Sequence, residues 1–511
     1  MQTTNPFVSL FLASSLFFCV APLFAETHDA PLKLGDRREL FIDDYLVESL
    51  DGVERLTHRP ERKNLVAIFD KPWEGESEGY CTVLFDGTKD RMFYRAWGIE
   101  QKIPMSIACL ESDDGVNWTR PEYGLCEYEG SKKNNILLQE FVPGSGLGTH
   151  DFTPFLDERP GVPADEKYKT VCHGEYANAE NHGLYAFKSS DAIHWSLMQE
   201  TPVYTDGRFD TQNVAFWSTT EQKYVLYYRE FRRNTRVVFR AVSDDFLHWK
   251  NEGEIRFPEG QEPTPREQLY TNQIQPYYRA PHIYVGFPAR YVDNGLTVST
   301  SLLPEWEERQ ARMKLPEGGE RLGTAVTDSV LITSRDGLNF TKANDVFIAP
   351  GLRTKHNWFY GDNYLAWNMV ETKSLDDDSP NEISIYSLES SATNNDARLR
   401  RYALRIDGFV SIHAKSQEGV ATTKPLTFDG AELSLNVATS AAGFVRVEVL
   451  DEEGNVLPDF SADDCDLIYG DSLDRRVSWK GSRDMSNLAG KTIKLRFLMK
   501  EADLYSLKWE R

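Results

Sequence analysis

Four copies of one seven-residue pattern, Ser-x-Asp-x-x-x-Trp/Phe, constrain the fold of this chain more than any other feature. They are Ser112-Asp113-Asp114-Gly115-Val116-Asn117-Trp118, Ser189-Ser190-Asp191-Ala192-Ile193-His194-Trp195, Ser243-Asp244-Asp245-Phe246-Leu247-His248-Trp249 and Ser334-Arg335-Asp336-Gly337-Leu338-Asn339-Phe340. Each follows an apolar, β-like run, at 106–110, 184–187, 237–242 and 330–333. Aspartate folds its carboxylate back onto nearby backbone N–H groups to close a tight turn, and serine does so more weakly. The aromatic residue then opens the next strand and packs inward. Such a turn joins the last two strands of a four-stranded unit, and repeated units of short strands read as the blades of a β-propeller.

Reading backward from each turn supplies the other strands. Blade one takes 80–85, 92–97, 106–110 and the strand at Trp118. Blade two takes 152–156, 168–173, 184–187 and Trp195. Blade three takes 214–217, 224–229, 237–242 and Trp249. Blade four takes 274–277, 283–287, 330–333 and Phe340. A fifth, less regular blade holds 364–369 and 383–388 and lacks the motif. It is short of strands, and the N-terminal run 40–47 is expected to complete it and so remove an exposed sheet edge.

After a polar stretch at 390–397 the pattern changes. From Tyr402 onward, alternating strands at 433–437, 444–450, 477–479, 493–499 and 505–509 predict a β-sandwich. The expected organisation is all-β: a five-bladed β-propeller over 30–395, carrying the candidate active site, then a C-terminal β-sandwich over 402–511 that braces it. A chain of 511 residues suits two such units.

Residues 1–25 carry no charged side chain, and Ala25 precedes the polar Glu26-Thr27-His28-Asp29. That predicts a signal peptide cut after Ala25 and a secreted or periplasmic protein. The leader has no Lys or Arg, and Leu23 is large for its place before the cut, so an uncleaved anchor is the alternative. No later segment has the roughly 18 apolar residues needed to span a bilayer, so no membrane association is expected after cleavage. The formal net charge of −22 argues against a nucleic-acid partner and against anionic lipid, and is compatible with a neutral substrate. Beyond Cys19 there are five cysteines, none spaced as a zinc clip, which read as small buried residues. Nothing in the sequence sets an oligomeric state.

In a blade, the start of strand one and the end of strand two meet at the same face of the ring. This places Glu78 beside Arg95 and Trp97, and His150 and Asp151 beside His173 and Glu175. It places Asp210 and Gln212 beside Arg229 and Glu230, Asn272 and Gln273 beside Arg290, and Asp362 opposite Glu371. Tyr94-Arg95, Tyr228-Arg229 and Arg290-Tyr291 read as one repeated feature. Glycosidic hydrolysis needs one carboxylic acid to protonate the leaving oxygen and a second carboxylate to activate water or attack the sugar. Crowded acids raise one pKa, which keeps a proton available near neutrality. Arginines hold hydroxyls or carboxylates with forked hydrogen bonds. The candidate catalytic acids are therefore Glu78, Asp151, Asp210 and Glu230. The candidate substrate-binding residues are Arg95, Trp97, His150, His173, Gln212, Arg229, Arg290 and Asp362. Asp151 and Asp210 also suit ordinary turns before a strand, and Asp43-Asp44 reads as a turn.

There is no Gly-x-Ser-x-Gly elbow, phosphate-cradling glycine loop or His-Glu-x-x-His helix. No cofactor is expected to be required, and the acids suit a structural calcium ion.

At these residues the chain resembles secreted bacterial glycosyl hydrolases of the invertase (family thirty-two) N-terminal type, relatives of five-bladed arabinanases, xylosidases and levanases. The matching stretches are Arg38-Glu39-Leu40-Phe41-Ile42-Asp43-Asp44-Tyr45-Leu46, Phe209-Asp210-Thr211-Gln212-Asn213-Val214-Ala215-Phe216-Trp217, Asp407-Gly408-Phe409-Val410-Ser411 and Thr423-Lys424-Pro425-Leu426. The resemblance implies three acids on the first three blades. Glu78, Asp151 and Asp210 would take the places of nucleophile or base, transition-state stabiliser and general acid, with Glu230 an alternative acid. The chain has no Asn-Asp-Pro-Asn-Gly, Arg-Asp-Pro or Glu-Cys motif. The expected function is hydrolysis of a plant or algal glycan. A non-catalytic sugar-binding propeller and a protein-docking propeller are the alternatives.

Overall fold

The computed structural model describes residues 30–511 except 76–78, 99–102, 143–144, 176–181, 315–318, 356, 377 and 391–396. The leader expected over 1–25 lies outside the described residues.

The described chain is all-β in its framework, with a propeller-like arrangement of successive sheets. Sheet one is Gly79–Phe85, Asp90–Gly98, Ile103–Ser112 and Ile136–Gln139. Sheet two is Phe155–Leu156, Tyr168–Glu175, His182–Ser189 and Ser196–Leu197. Sheet three is Val214–Ser218, Lys223–Arg232, Thr235–Ser243 and Lys250–Glu254. All three are antiparallel ladders whose strands pair in chain order.

The four turn motifs fold as their composition dictates. The serine hydroxyl accepts the N–H of the fourth motif residue, at 2.9 Å from Gly115, Ala192 and Phe246 and 3.0 Å from Gly337. The aspartate accepts two further N–H groups, as Asp191 does from Ile193 at 2.9 Å and His194 at 2.8 Å. The fourth residue is left-handed in all four, with φ between 63° and 71°. Each turn then docks on the preceding sheet around the ring. Tyr386 of the fifth sheet donates to the Gly115 carbonyl, Trp195 meets Phe93 edge-on, Phe246 packs on Phe155, and Tyr227 donates to the Gly337 carbonyl. One local motif thus sets both the turn and the inter-sheet contact.

Sheet four departs from the regular plan. Its second strand is split into Ala280–Gly286 and Ala289–Asp293, both paired with Ala325–Ser334. Pro288 sits in the gap, where it has no N–H for the ladder. Sheet five pairs Tyr364–Leu365 and Val370–Thr372 with Glu382–Glu389, then Arg398–Arg405.

The strand that completes sheet five is Glu61–Ile68, not the expected run 40–47. The burial of each segment explains the exchange. Glu61–Ile68 exposes residues along its length, as an outermost strand can. Leu40, Phe41, Ile42 and Leu46 are all buried, Phe41 and Leu46 in the C-terminal core, Leu40 and Ile42 in a cluster shared with sheets four and five. A run that needs cover on both sides cannot sit at an edge. Asp43 accepts the Tyr45 N–H at 3.0 Å, the turn expected there, and pairs with Arg335 of the fourth motif at 2.8 Å.

The C-terminal region forms an eight-stranded sheet around the long strands Glu432–Leu450 and Lys494–Glu510. The N-terminal strands Val47–Asp51 and Val53–Thr57 join it, pairing with Gly419–Thr423 and Val410–Ala414. The five described cysteines form no disulfide, and all but Cys126 are buried.

Candidate active site

The channel is closed below its mouth by amides. Gln212 donates to the Cys81 carbonyl and the Thr82 hydroxyl, each at 3.0 Å, and Gln273 donates to Gln212 at 2.7 Å and to the Leu365 carbonyl at 2.6 Å. Gln212, expected to bind substrate, is 1% exposed and belongs to this plug. The plug ties sheets one, three, four and five together and gives the mouth a rigid floor.

Above it, seven of the expected residues come together, Trp97 among them. Asp210 stands on the loop before Val214–Ser218, with 63% of its side-chain surface open. Its carboxylate lies 3.5 Å from His150 Nε2 and 3.5 Å from an Arg229 guanidinium nitrogen. Burial pushes the group up, but the guanidinium charges, that of Arg229 first and then that of Arg95, outweigh it and hold the carboxyl below its usual range. Arg229 is anchored by donating to the Arg208 carbonyl at 3.0 Å. Arg95 donates to the His150 carbonyl at 3.3 Å and lies 4.6 Å above the Tyr80 ring and 5.3 Å above Trp97.

Asp151 is enclosed rather than open, at 0% exposure. It accepts the His173 N–H at 2.6 Å and the Asn213 side-chain amide. Asn213 also donates to the Phe209 carbonyl at 2.9 Å. Asp151 therefore pins the loop that carries Asp210. Burial pushes its carboxyl up to about 7, against those donated hydrogen bonds. The histidines stay neutral: burial first, then Arg95, lowers His150 to about 3, and burial with His182 lowers His173 to about 4. His173 Nε2 lies 3.1 Å from His182 Nδ1. The Nδ1 atoms of His150 and His173 are buried with no hydrogen-bond partner.

The remaining expected residues sit elsewhere. Glu78 lies outside the described residues. Glu230 falls on the opposite side of its strand from Arg229, and its carboxylate accepts the Phe231 N–H at 2.7 Å. Arg290 pairs with Asp328 at 2.6 Å and approaches Glu267 at 3.7 Å. Sheets one and three read Tyr-Arg where sheet four reads Arg-Tyr, so alternation turns Tyr291 instead of Arg290 toward the mouth. Asp362, 1% exposed, accepts the Phe359 N–H at 3.0 Å and lines a separate cavity of about 530 Å³ with Arg62, Glu389, Arg400 and Tyr402.

Other residues join the group. Tyr270 lies 5.3 Å from Tyr364 and 5.7 Å from Tyr360. Arg236 lies 4.9 Å above Tyr270, and Arg321 donates to the Tyr360 hydroxyl at 3.1 Å. Among the described residues no three His, Cys, Asp or Glu side chains are arranged to hold a metal ion. The chemistry available here is that of one open, ionised carboxylate between an arginine and a neutral histidine.

No protein-family model matches the sequence, and no curated protein matches it. Solved structures are similar over long stretches at low identity. An N-acetylgalactosamine deacetylase from F. plautii, in complex with blood group B trisaccharide, is 13% identical over 68% of this chain and 94% of its own, with a TM-score of 0.42. A fructofuranosidase from Schwanniomyces occidentalis complexed with fructosylnystose is 9% identical over 89% and 98%, with a TM-score of 0.38. The GH32 β-fructofuranosidase of Bombyx mori is 8% identical over 88% and 94%, with a TM-score of 0.40. At these values the likenesses bear on neither substrate nor catalytic residues.

Proposed function

We propose that this chain is an exported glycoside hydrolase acting at the mouth of a five-bladed propeller, with its C-terminal sheet folded as a sandwich that braces the ring. The observation that carries this reading is Asp210: an open carboxylate, held ionised by Arg229 and flanked by the neutral His150, above a closed floor. A group held ionised suits the nucleophile or base better than the acid. We assign the proton donor to Glu78, one residue before Gly79, whose backbone pairs opposite Arg95. Asp151 is a positioning residue, fixing Asn213 and His173 around Asp210. His150 separates Asp151 from Asp210 by no more than roughly 10 Å, near the outer limit for cooperating carboxyl groups. The substrate class is a plant or algal oligo- or polysaccharide, reached through export by the leader over 1–25.

The enclosure of Asp151 favours one other reading. With a single open carboxylate among the described mouth residues, the site also suits sugar binding without cleavage. The mature protein, Asp210→Asn and Glu78→Gln separate the two on aryl glycosides and a panel of polysaccharides. Hydrolysis predicts sugar release that each variant lowers by about 10²–10⁴-fold. Glycan binding by all three with no release by the parent would leave a binding propeller.

A further inference from the structure

The mouth is cationic on a chain that carries a net charge of −22. Arg95, Arg229, Arg236 and Arg321 gather around Tyr80, Tyr270 and Tyr360. Arg229 and Arg236 lie 6.0 and 4.9 Å from the Tyr270 ring, Arg95 lies 4.6 Å from Tyr80, and Arg321 lies 5.2 Å from Tyr360. Among the described residues the only carboxylate within 4 Å of any of the four is Asp210, 3.5 Å from Arg229. Asp293, two residues beyond Tyr291, is engaged by other groups. One of its oxygens accepts from Gly295 and Thr324, and the other faces the Tyr291 hydroxyl at 3.3 Å.

Two of these arginines are largely withdrawn from water. Arg95 is 9% exposed and Arg229 is 6% exposed. Arg95 Nε has no hydrogen-bond partner. Two withdrawn cations that share the single carboxylate of Asp210 leave one charge uncompensated, which is costly and is retained where something else supplies the counter-charge. The planar guanidinium matches an oxyanion with two parallel hydrogen bonds. A neutral sugar needs no such surplus, since hydroxyls are held equally well by amides and single charges. His150 and His173 carry no charge near neutrality, but their unpartnered Nδ1 atoms add neutral hydrogen-bonding groups beside the same space.

We infer that the mouth recognises an anionic sugar, a glycan residue bearing a carboxylate or a sulfate ester, with its oxyanion held between Arg95 and Arg229 next to Asp210. This rests on the proposed site at Asp210 and deepens it, replacing the neutral substrate that net charge alone allowed.

The test uses the mature full-length protein and matched probes: oligogalacturonides and their carboxyl-reduced forms, and sulfated carrageenan oligosaccharides and their desulfated forms. Binding is measured by calorimetry and cleavage by new reducing ends. One anionic series is expected to bind at least about 10-fold tighter than its neutral counterpart, with the gap narrowing as salt rises. Which series does so separates carboxylate from sulfate. Arg95→Gln is expected to raise KM for the preferred anionic probe by about 10- to 100-fold, and Arg95→Lys by less. The paired comparison on the unmodified protein needs no variant to fold. Equal handling of neutral and anionic probes would overturn the inference and leave the hydrolase reading standing. Preferential binding of an anionic probe without cleavage would support the inference and overturn the hydrolase reading. Binding of none of the four would overturn the inference.

Discussion

Asp151 and Asp191 stand at opposite ends of sheet two, and their surroundings move their carboxyl groups in opposite directions. At the turn end, Asp191 faces solvent on one side and accepts the N–H groups of Ile193 and His194. Burial pushes its carboxyl up, but those donated bonds win and hold it at about 2. At the mouth end, Asp151 accepts a similar number of hydrogen bonds, yet full enclosure wins and its carboxyl rises to about 7. The difference is desolvation, which disfavours the charged form more steeply than two hydrogen bonds favour it. The turn end spends aspartate on local geometry. The mouth end keeps groups short of partners, as at Arg95 Nε and at Nδ1 of His150 and His173. Buried polar atoms without partners are rare in folded proteins and each calls for an explanation, which a ligand bound at the mouth would supply for these three.

The largest effect on this contrast is expected from Asp151. Asp151→Ala leaves the His173 N–H without an acceptor and takes from the Asn213 amide one of its acceptors, the Phe209 carbonyl remaining. It is expected to lower stability by about 2–4 kcal/mol, read by urea denaturation at pH 6, with activity falling in parallel as the Asp210 loop loosens. The pH profile sharpens the point. A carboxyl raised when folded contributes stability that is complete below the unfolded pKa and is lost as pH rises through the folded one. The Asp151 contribution should therefore fall from about pH 4 to about pH 7. Asp151→Asn should flatten that slope, and an unchanged slope would show that the carboxyl is not enclosed.

Asp191→Ala is the matching change at the other end. It removes the acceptor for two N–H groups that water can still reach. The expected cost is about 1–2 kcal/mol, with kcat and KM unchanged. Here the sign of the pH effect reverses. Asp191, Asp114 and Asp245 are each held at about 2, so their contribution is present above the unfolded pKa and is lost as pH falls from about 4 to 2. Loss of activity in Asp191→Ala at unchanged stability would break the separation between the two ends.

The same contrast governs what the sequence discloses. The turns were legible because their hydrogen bonds close within three residues, so spacing alone carries them. His150, Asp151, His173, Asp210, Arg95 and Arg229 were locatable because strand ends in a propeller have fixed faces. Tyr80 and Tyr364 stand at strand starts and Tyr270 just after Glu267–Leu269, but a tyrosine there carries no charge that marks it out from core aromatics. Arg236 enters from a third strand and Arg321 from a short helix inserted in sheet four, so a search of first and second strands passes over both. The closing strand Glu61–Ile68 escaped for another reason. Its pairing with Arg398–Arg405 spans most of the chain, and nothing local marks a partner that far away.

The smallest expected effect lies within the motif itself, at its fourth residue. Two copies place glycine there and two do not: Ala192 has a φ of 63° and Phe246 a φ of 71°. A left-handed conformation costs a non-glycine residue about 1 kcal/mol, which Ala192→Gly would relieve. The Ala192 methyl is fully buried, and losing it costs about 0.8 kcal/mol. The two terms are of equal size and opposite sign, so the substitution should move stability by no more than about 0.5 kcal/mol in thermal or urea unfolding. A clear stabilisation would mean the methyl packs poorly against sheet one. A clear loss would mean the inter-sheet contact at Ala192 and Trp195, rather than the turn conformation, decides which residue stands there.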